Sequence, residues 1–207
     1  MKKHILWGLF LLLAIAITYI FTPRPYQVHY HANFAVYIDG KQEDFSSEMY
    51  MEETSRCNIT TDVKPQDRIH LHDKKGSLVH VHMAASTWGD LFANLSWGIG
   101  NTYLADPYGT LRTGTGGKNL YFFLNGKPTM NPANEIVKST DRLLVWYGTG
   151  TEQEIQAKAE MLVPKDADEY NHKPDPASCG TNSYGWVSPI VLPIMEWKES
   201  LPHSHDE

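Results

Sequence analysis

Apolar and histidine positions alternate along three segments of the chain. From residue 28 to 38, Val28, Tyr30, Ala32, Phe34, Val36 and Ile38 share one parity, and His29 and His31 fall on the other. Ile69 and Leu71 alternate in the same way with His70 and His72, and Val79, Val81 and Met83 with His80 and His82. A period of two predicts β-strands with one oily side for a core and an imidazole side facing away from it.

The second and third histidine pairs can be set in register. Asp73-Lys74-Lys75-Gly76-Ser77 fits a three-residue hairpin loop, with Gly76 as the left-handed residue of a bulged turn. If Asp73 pairs with Ser77, His70 lies opposite His80 and Arg68 opposite His82. Directly opposed residues have Cβ atoms about 4.5–5.5 Å apart.

Elsewhere the pattern is mostly strand. Tyr26–Ile38 predicts a first strand, Asp39-Gly40 a tight turn and Lys41–Phe45 a return; Asn119–Leu124, turning at Asn125-Gly126, and Asp141–Tyr147 read likewise. Thr87, with Asp90 at the third helical position, caps a short helix with Trp88, Leu91, Phe92 and Leu95 on one stripe and Gly98 at its end. Thr151 and Glu154 cap a second helix over Thr151–Leu162. Residues 101–117 read as loop or irregular hairpin. Gly114-Thr115-Gly116-Gly117 lacks the Lys-Ser/Thr of a phosphate cradle and is a turn. Residues 164–202 are proline-rich and aperiodic, as expected of an extended strap, and 203–207 form a tail carrying His203 and His205.

An internal echo links Ala35–Lys41 to Phe122–Lys127, and Asp67–His72 to Asp141–Trp146, with Leu144 and Trp146 where His70 and His72 stand. The expected class is α+β, mostly β: antiparallel hairpins with two short helices, two β-grasp-like units over 28–100 and 118–148 as one arrangement, and a C-terminal extended strap. A chance likeness between two hairpin units explains the echo equally well.

Composition changes the picture at the N terminus. Lys2 and Lys3 precede an uncharged apolar run from Ile5 to Phe21, and Thr22-Pro23-Arg24-Pro25 follows without a small-x-small cleavage site. This predicts a transmembrane signal anchor over 1–21, a linker over 22–27 and an extracytoplasmic β-rich domain over 28–163, single-pass in the cell membrane. A cleaved signal is the alternative, and also exports the domain. The two cysteines, Cys57 and Cys179, then pair as one disulfide or serve as thiols; no Cys-x-x-Cys is present for thioredoxin-type exchange. The net charge of −6, without a basic stripe, argues against nucleic acid as a partner. Asn58-Ile59-Thr60 and Asn94-Leu95-Ser96 match the glycan-acceptor pattern. No protein partner is readable.

Six imidazoles on related faces point to a transition metal, copper or zinc by donor type. His70, His72, His80 and His82 are the expected inner ligands, with His29 and His31 joining them or forming a second site. Asp73 is either a carboxylate ligand or a turn former. A solvated or pH-responsive histidine face is the bland alternative.

The segments His29-Tyr30-His31-Ala32-Asn33-Phe34-Ala35-Val36-Tyr37-Ile38-Asp39-Gly40, His70-Leu71-His72-Asp73 with Val79-His80-Val81-His82, Thr87-Trp88-Gly89-Asp90-Leu91-Phe92, and Asp175-Pro176-Ala177-Ser178-Cys179 resemble an uncharacterised family of single-anchor exported bacterial proteins. Some of its members are labelled disulfide-isomerase-like. The resemblance implies export and a shared histidine hairpin, and the label implies a thiol site that this chain does not display.

The expected function is a membrane-anchored protein for capture, buffering or delivery of copper or zinc. The alternatives are a metal-dependent enzyme with a three-His site and Asp73, Asp90 or Glu43 as base, a disulfide-isomerase-like thiol exchanger, and a pH-gated binding module.

Overall fold

The computed structural model describes residues 27–52 and 64–173, with Trp7, Gly8, Leu11 and Leu12 near the N terminus. The chain divides into a unit of residues 27–183 and a second made of 1–26 and 184–207. In the second unit the four described residues are helical. Among the described residues no helix is long and apolar enough to cross a membrane. The expected anchor over 1–21 (those four residues apart), the linker up to residue 26, Cys57, Cys179, the glycan-acceptor Asn58, the strap beyond residue 173 and the histidine tail lie outside them.

Among the described residues ten strands form two sheets. The larger contains β1 (Gln27–Ile38), β2 (Lys41–Gln42), β3 (Ile69–His70), β4 (Leu78–Met83), β8 (Asn119–Leu124), β9 (Lys127–Pro128) and β10 (Arg142–Gly148). Its order is β3-β4-β1-β10-β8-β9, with β2 also paired to β1. The two central strands, β1 and β10, run parallel, from Asn33 opposite Arg142 to Ile38 opposite Tyr147. The other neighbours are antiparallel. The two halves that echo one another thus meet in one continuous sheet. Parallel central strands flanked by antiparallel hairpins, with a helix between the halves, are β-grasp-like.

The two tight turns have one cause. Asp39 and Gly40 have φ of 52° and 80°, and Asn125 and Gly126 have 53° and 75°. Two consecutive left-handed residues make the mirror-image turn whose twist suits a hairpin, and Asx-Gly tolerates it best. The same carboxylate device also recurs. Asp67 accepts the amide of Lys64 at 2.8 Å, and Asp141 that of Lys138 at 2.8 Å, each amide three residues before its aspartate and each aspartate just ahead of a strand.

One face of the sheet carries the main core. Ala32, Phe34 and Val36 of β1, Val79 and Val81 of β4, and Ile69 and Leu71 pack with Trp88, Leu91 and Phe92. Those aromatics lie on helix α2 (Trp88–Asn94), which follows the four-residue α1 (Pro65–Arg68). Thr87 caps α2 in a reciprocal box with Asp90. The helix stops at Leu95, and Ser96 takes the left-handed turn (φ 62°), so the expected end at Gly98 moves back; Gly98 opens a strand instead.

Residues 98–112 form a small sheet of β5 (Gly98–Gly100), β6 (Tyr103–Asp106) and β7 (Gly109–Arg112), more ordered than the loop expected there. Helix α3 (Glu152–Leu162) is capped by Thr151 and Glu154 as expected, and lays Ile155 and Ala159 on the opposite face of the large sheet. The strap opens as a short helix, α4 (Ala167–Asn171), because its first residues dock on β1.

Candidate metal centre

All six strand histidines lie on the face opposite the main core, on β1, β3, β4 and the residue pair that follows β3. His70 is opposite His80, the register expected from the hairpin. His31 is opposite His80 on the other side of β4. A bulge between Gln27 and Tyr30 shifts the β1 register where it passes Met83, and the rings of His29 and His82 stack 5.1 Å apart.

The loop between the histidine pairs differs from expectation. Asp73 and Lys74 hold the left-handed conformations (φ 58° and 57°), and Gly76 does not. Gly76 is needed for a different reason: a Cβ there would come within 2.6 Å of the Phe45 carbonyl carbon and the Ser46 nitrogen. Strand β3 is also shorter than Arg68–His72. Arg68 ends α1, and Leu71 leaves β4 to bridge Met51 in parallel.

The imidazole face is not solvated. His31, His70, His72, His80 and His82 expose only 2–6% of their surface. Part of the cover is α4. Asn33, the next residue on the imidazole parity of β1, donates to Asp166 Oδ1 (2.7 Å) and accepts from the Ala167 amide (3.0 Å). Tyr170 packs 6.0 Å from the His31 ring and accepts a hydrogen bond from Lys75 Nζ at 2.6 Å.

Asn171 fixes the proton positions in the centre of the cluster. Its Oδ1 accepts the His31 backbone N–H at 2.7 Å, so this atom is the oxygen, and its Nδ2 donates to Ser139 Oγ at 2.9 Å. The same Oδ1 lies 2.8 Å from His31 Nδ1, which therefore carries the hydrogen and leaves a lone pair on Nε2. His31 Nε2 is 3.0 Å from His80 Nδ1. His80 is then the donor in that pair, and its lone pair is on Nε2.

One further ring, His70, is oriented in the manner of a ligand. His70 Nδ1 donates to the Gln66 carbonyl at 2.7 Å, and His72 Nδ1 lies 3.0 Å from the Asp73 carboxylate. A carbonyl or carboxylate behind one ring nitrogen fixes the tautomer and aims the other nitrogen at a metal. The Nε2 atoms of His70, His72, His80 and His82 are buried and, among the described residues, meet no hydrogen-bond partner.

Burial holds the rings of His70, His80 and His82 neutral. It lowers the His70 pKa to about 4, against the opposing pull of the Gln66 carbonyl. It lowers His82 to about 2, with the neighbouring rings of His70 and His29 adding to the effect. Burial lowers His80 still further, helped by His72 and His31. Neutral imidazole is the form that ligates metal.

His29, His31 and His80 make the tightest group. Each offers a donor nitrogen, all within 4.8 Å of one another, and the group could hold a metal ion. Ring centroids are 4.8 Å apart for His29 and His31, and 4.3 Å for His31 and His80. His72 lies 3.5 Å from His80, and His70 lies 4.8 Å from His82. Of the candidate bases, Asp90 is committed to the helix cap and Asp73 lies beside His72; Glu43 uses its amide to bond Val36.

Asn33, Tyr170, Asn171 and the Gln66 carbonyl escaped the sequence reading. Only Asn33 carried a signal, its place two residues beyond His31 on the histidine parity. Asn94 donates its amide to the carbonyls of Pro65 and Ile69, so a glycan there would have to break two helix-closing bonds. No family model, curated protein or solved structure matches the chain.

Proposed function

We propose that this chain is a transition-metal-binding protein that captures, buffers or delivers copper or zinc outside the cytoplasm, tethered to the membrane by its N-terminal apolar segment. The observation that carries the reading is the convergence of His29, His31 and His80 within 4.8 Å inside a buried imidazole cluster. Two bonds of about 2.0–2.1 Å to one ion leave their nitrogens about 3.0–3.4 Å apart. The 3.0 Å between His31 Nε2 and His80 Nδ1 suits an ion replacing the hydrogen between them. The tether rests on the run from Ile5 to Phe21 after Lys2 and Lys3.

Three imidazoles leave a fourth position for water, so a hydrolytic metalloenzyme is the second reading. Within the described residues no carboxylate joins the trio's donor set, and binding or delivery is preferred. The test is elemental analysis of purified protein after exposure to zinc or copper and dialysis. About one equivalent or more of retained metal is expected. Less than about a tenth of an equivalent with both metals ends the proposal.

A further inference from the structure

The group at His29, His31 and His80 does not use the whole cluster. Three more buried rings, His70, His72 and His82, share the same face, and their donor nitrogens do not join the trio's within 4.8 Å. Each has its Nε2 buried and, among the described residues, unpartnered, and His70 has its Nδ1 held from behind by the Gln66 carbonyl; His72 Nδ1 lies 3.0 Å from the Asp73 carboxylate without a hydrogen bond. A solvated or purely structural histidine face gives no reason for this arrangement. Buried polar atoms are ordinarily paired, and each exception calls for an explanation such as an absent ion.

We infer that the cluster holds two metal ions, the second bound by His70 with His72 and His82 on either side of it. This rests on the metal-binding reading above and extends it from one ion to a pair. Rings ligating one ion through bonds of about 2.0–2.1 Å have centroids about 4.5–5.5 Å apart for cis or tetrahedral angles. His70 and His82 stand at 4.8 Å, inside that range, and His70 and His72 at 5.7 Å, just beyond it, so His70 is the common member. In the structure the nitrogens of these three rings do not form a group within 4.8 Å, so binding there requires His72 and His82 to turn toward His70. His80 separates the two groups: its Nδ1 faces His31, and its ring lies 3.5 Å from that of His72.

The chemical class of the second ion follows from its donors. They are neutral imidazoles without thiolate or carboxylate, which suits copper or zinc and disfavours magnesium or calcium. Asp73 lies beside the His72 ring, 3.0 Å from its Nδ1, and is not in the proposed ligand set.

The experiment is a titration of the full-length, metal-free protein with cobalt(II), which reports imidazole ligation through its visible absorption, with bound metal counted in parallel. Wild type is expected to saturate at about two equivalents. His70→Gln/His72→Gln is expected to saturate at about one, keeping the ion at His29, His31 and His80. His203→Gln/His205→Gln is expected to keep both. Saturation of wild type at one equivalent overturns the inference and leaves the metal-binding reading standing. No uptake at all overturns both. Two equivalents that survive His70→Gln/His72→Gln, or fall to one in His203→Gln/His205→Gln, place the second ion elsewhere and also overturn it. The wild-type stoichiometry separates one ion from two even if a histidine variant fails to fold.

Discussion

The face of the large sheet that carries the histidines is built in two halves. Over β1's C-terminal end, β10 and β8, Ala35, Leu144 and Phe123 lie side by side in register and are closed by Ile155, Ala159 and Val163. Over β1's N-terminal part, β4 and β3, the same parity holds six imidazoles, partly closed by α4 with Tyr170 and Asn171. The local devices repeat: an Asx-Gly turn with two left-handed residues, and an aspartate accepting an amide three residues back. At the matching positions Leu144 and Trp146 stand where His70 and His72 do. One half satisfies itself by packing. The other buries the Nε2 atoms of His70, His72, His80 and His82, which no group among the described residues meets. A scaffold able to seal this face with aliphatic side chains seals half of it with nitrogen lone pairs, and that is where function is to be sought.

The largest expected effect tests the packed half. Phe123→Ala removes a fully buried ring beside Leu144 and should destabilise the domain by about 3–5 kcal/mol, read by urea unfolding. Its metal uptake, measured under folding conditions, should remain that of wild type. A loss of metal with the fold intact would mean that the two halves are not separable.

A second effect should come from the histidine half alone. His70 and His82 have folded-state pKa values lowered to about 4 and about 2, chiefly by burial, against about 6.5 in an unfolded chain. Above pH 6.5 both states are neutral and the full stability is present. As the pH falls from 6.5 through 4, the unfolded chain takes up protons that the folded one refuses, and stability is lost. Metal-free protein should therefore have a lower urea midpoint at pH 5 than at pH 8. Equal midpoints would show that the rings are accessible and already charged when folded.

The smallest effect sharpens the contrast. His82→Leu carries one position of the histidine half toward the composition of the packed half. An apolar side chain of similar size removes an unpartnered buried nitrogen, so metal-free stability should change by less than about 1.5 kcal/mol, in either direction. A loss of several kcal/mol would mean that His82 holds the fold through its ring nitrogens.

Much of the histidine half was legible in the sequence because its determinants are local. Period-two alternation put the imidazoles on one parity, and the short loop after His72 fixed His70 opposite His80. The two capped helices were legible for the same reason, from Thr87 with Asp90 and Thr151 with Glu154. What stayed hidden is long-range. Nothing near Asn33 announces its pairing with Arg142 in a parallel register, over a hundred residues on. Nothing in a five-residue helix announces that Asn171 will set the tautomer of His31. The turn at Asp73 and Lys74 was missed because Gly76 is the easier left-handed residue, and close approach to Phe45 is what demands a glycine there. Part of the burial of the imidazole face comes from α4, which sequence periodicity could not place.

X-ray absorption at the metal edge, on protein loaded with zinc or copper to saturation and freed of excess, tests the central claim most directly. The account predicts a first shell of nitrogens at about 2.0–2.1 Å with the outer-shell scattering of imidazole rings, lost in His31→Gln/His80→Gln to the extent that the ion is lost. A shell of oxygens alone, or an imidazole signal that the double variant leaves untouched, would contradict it.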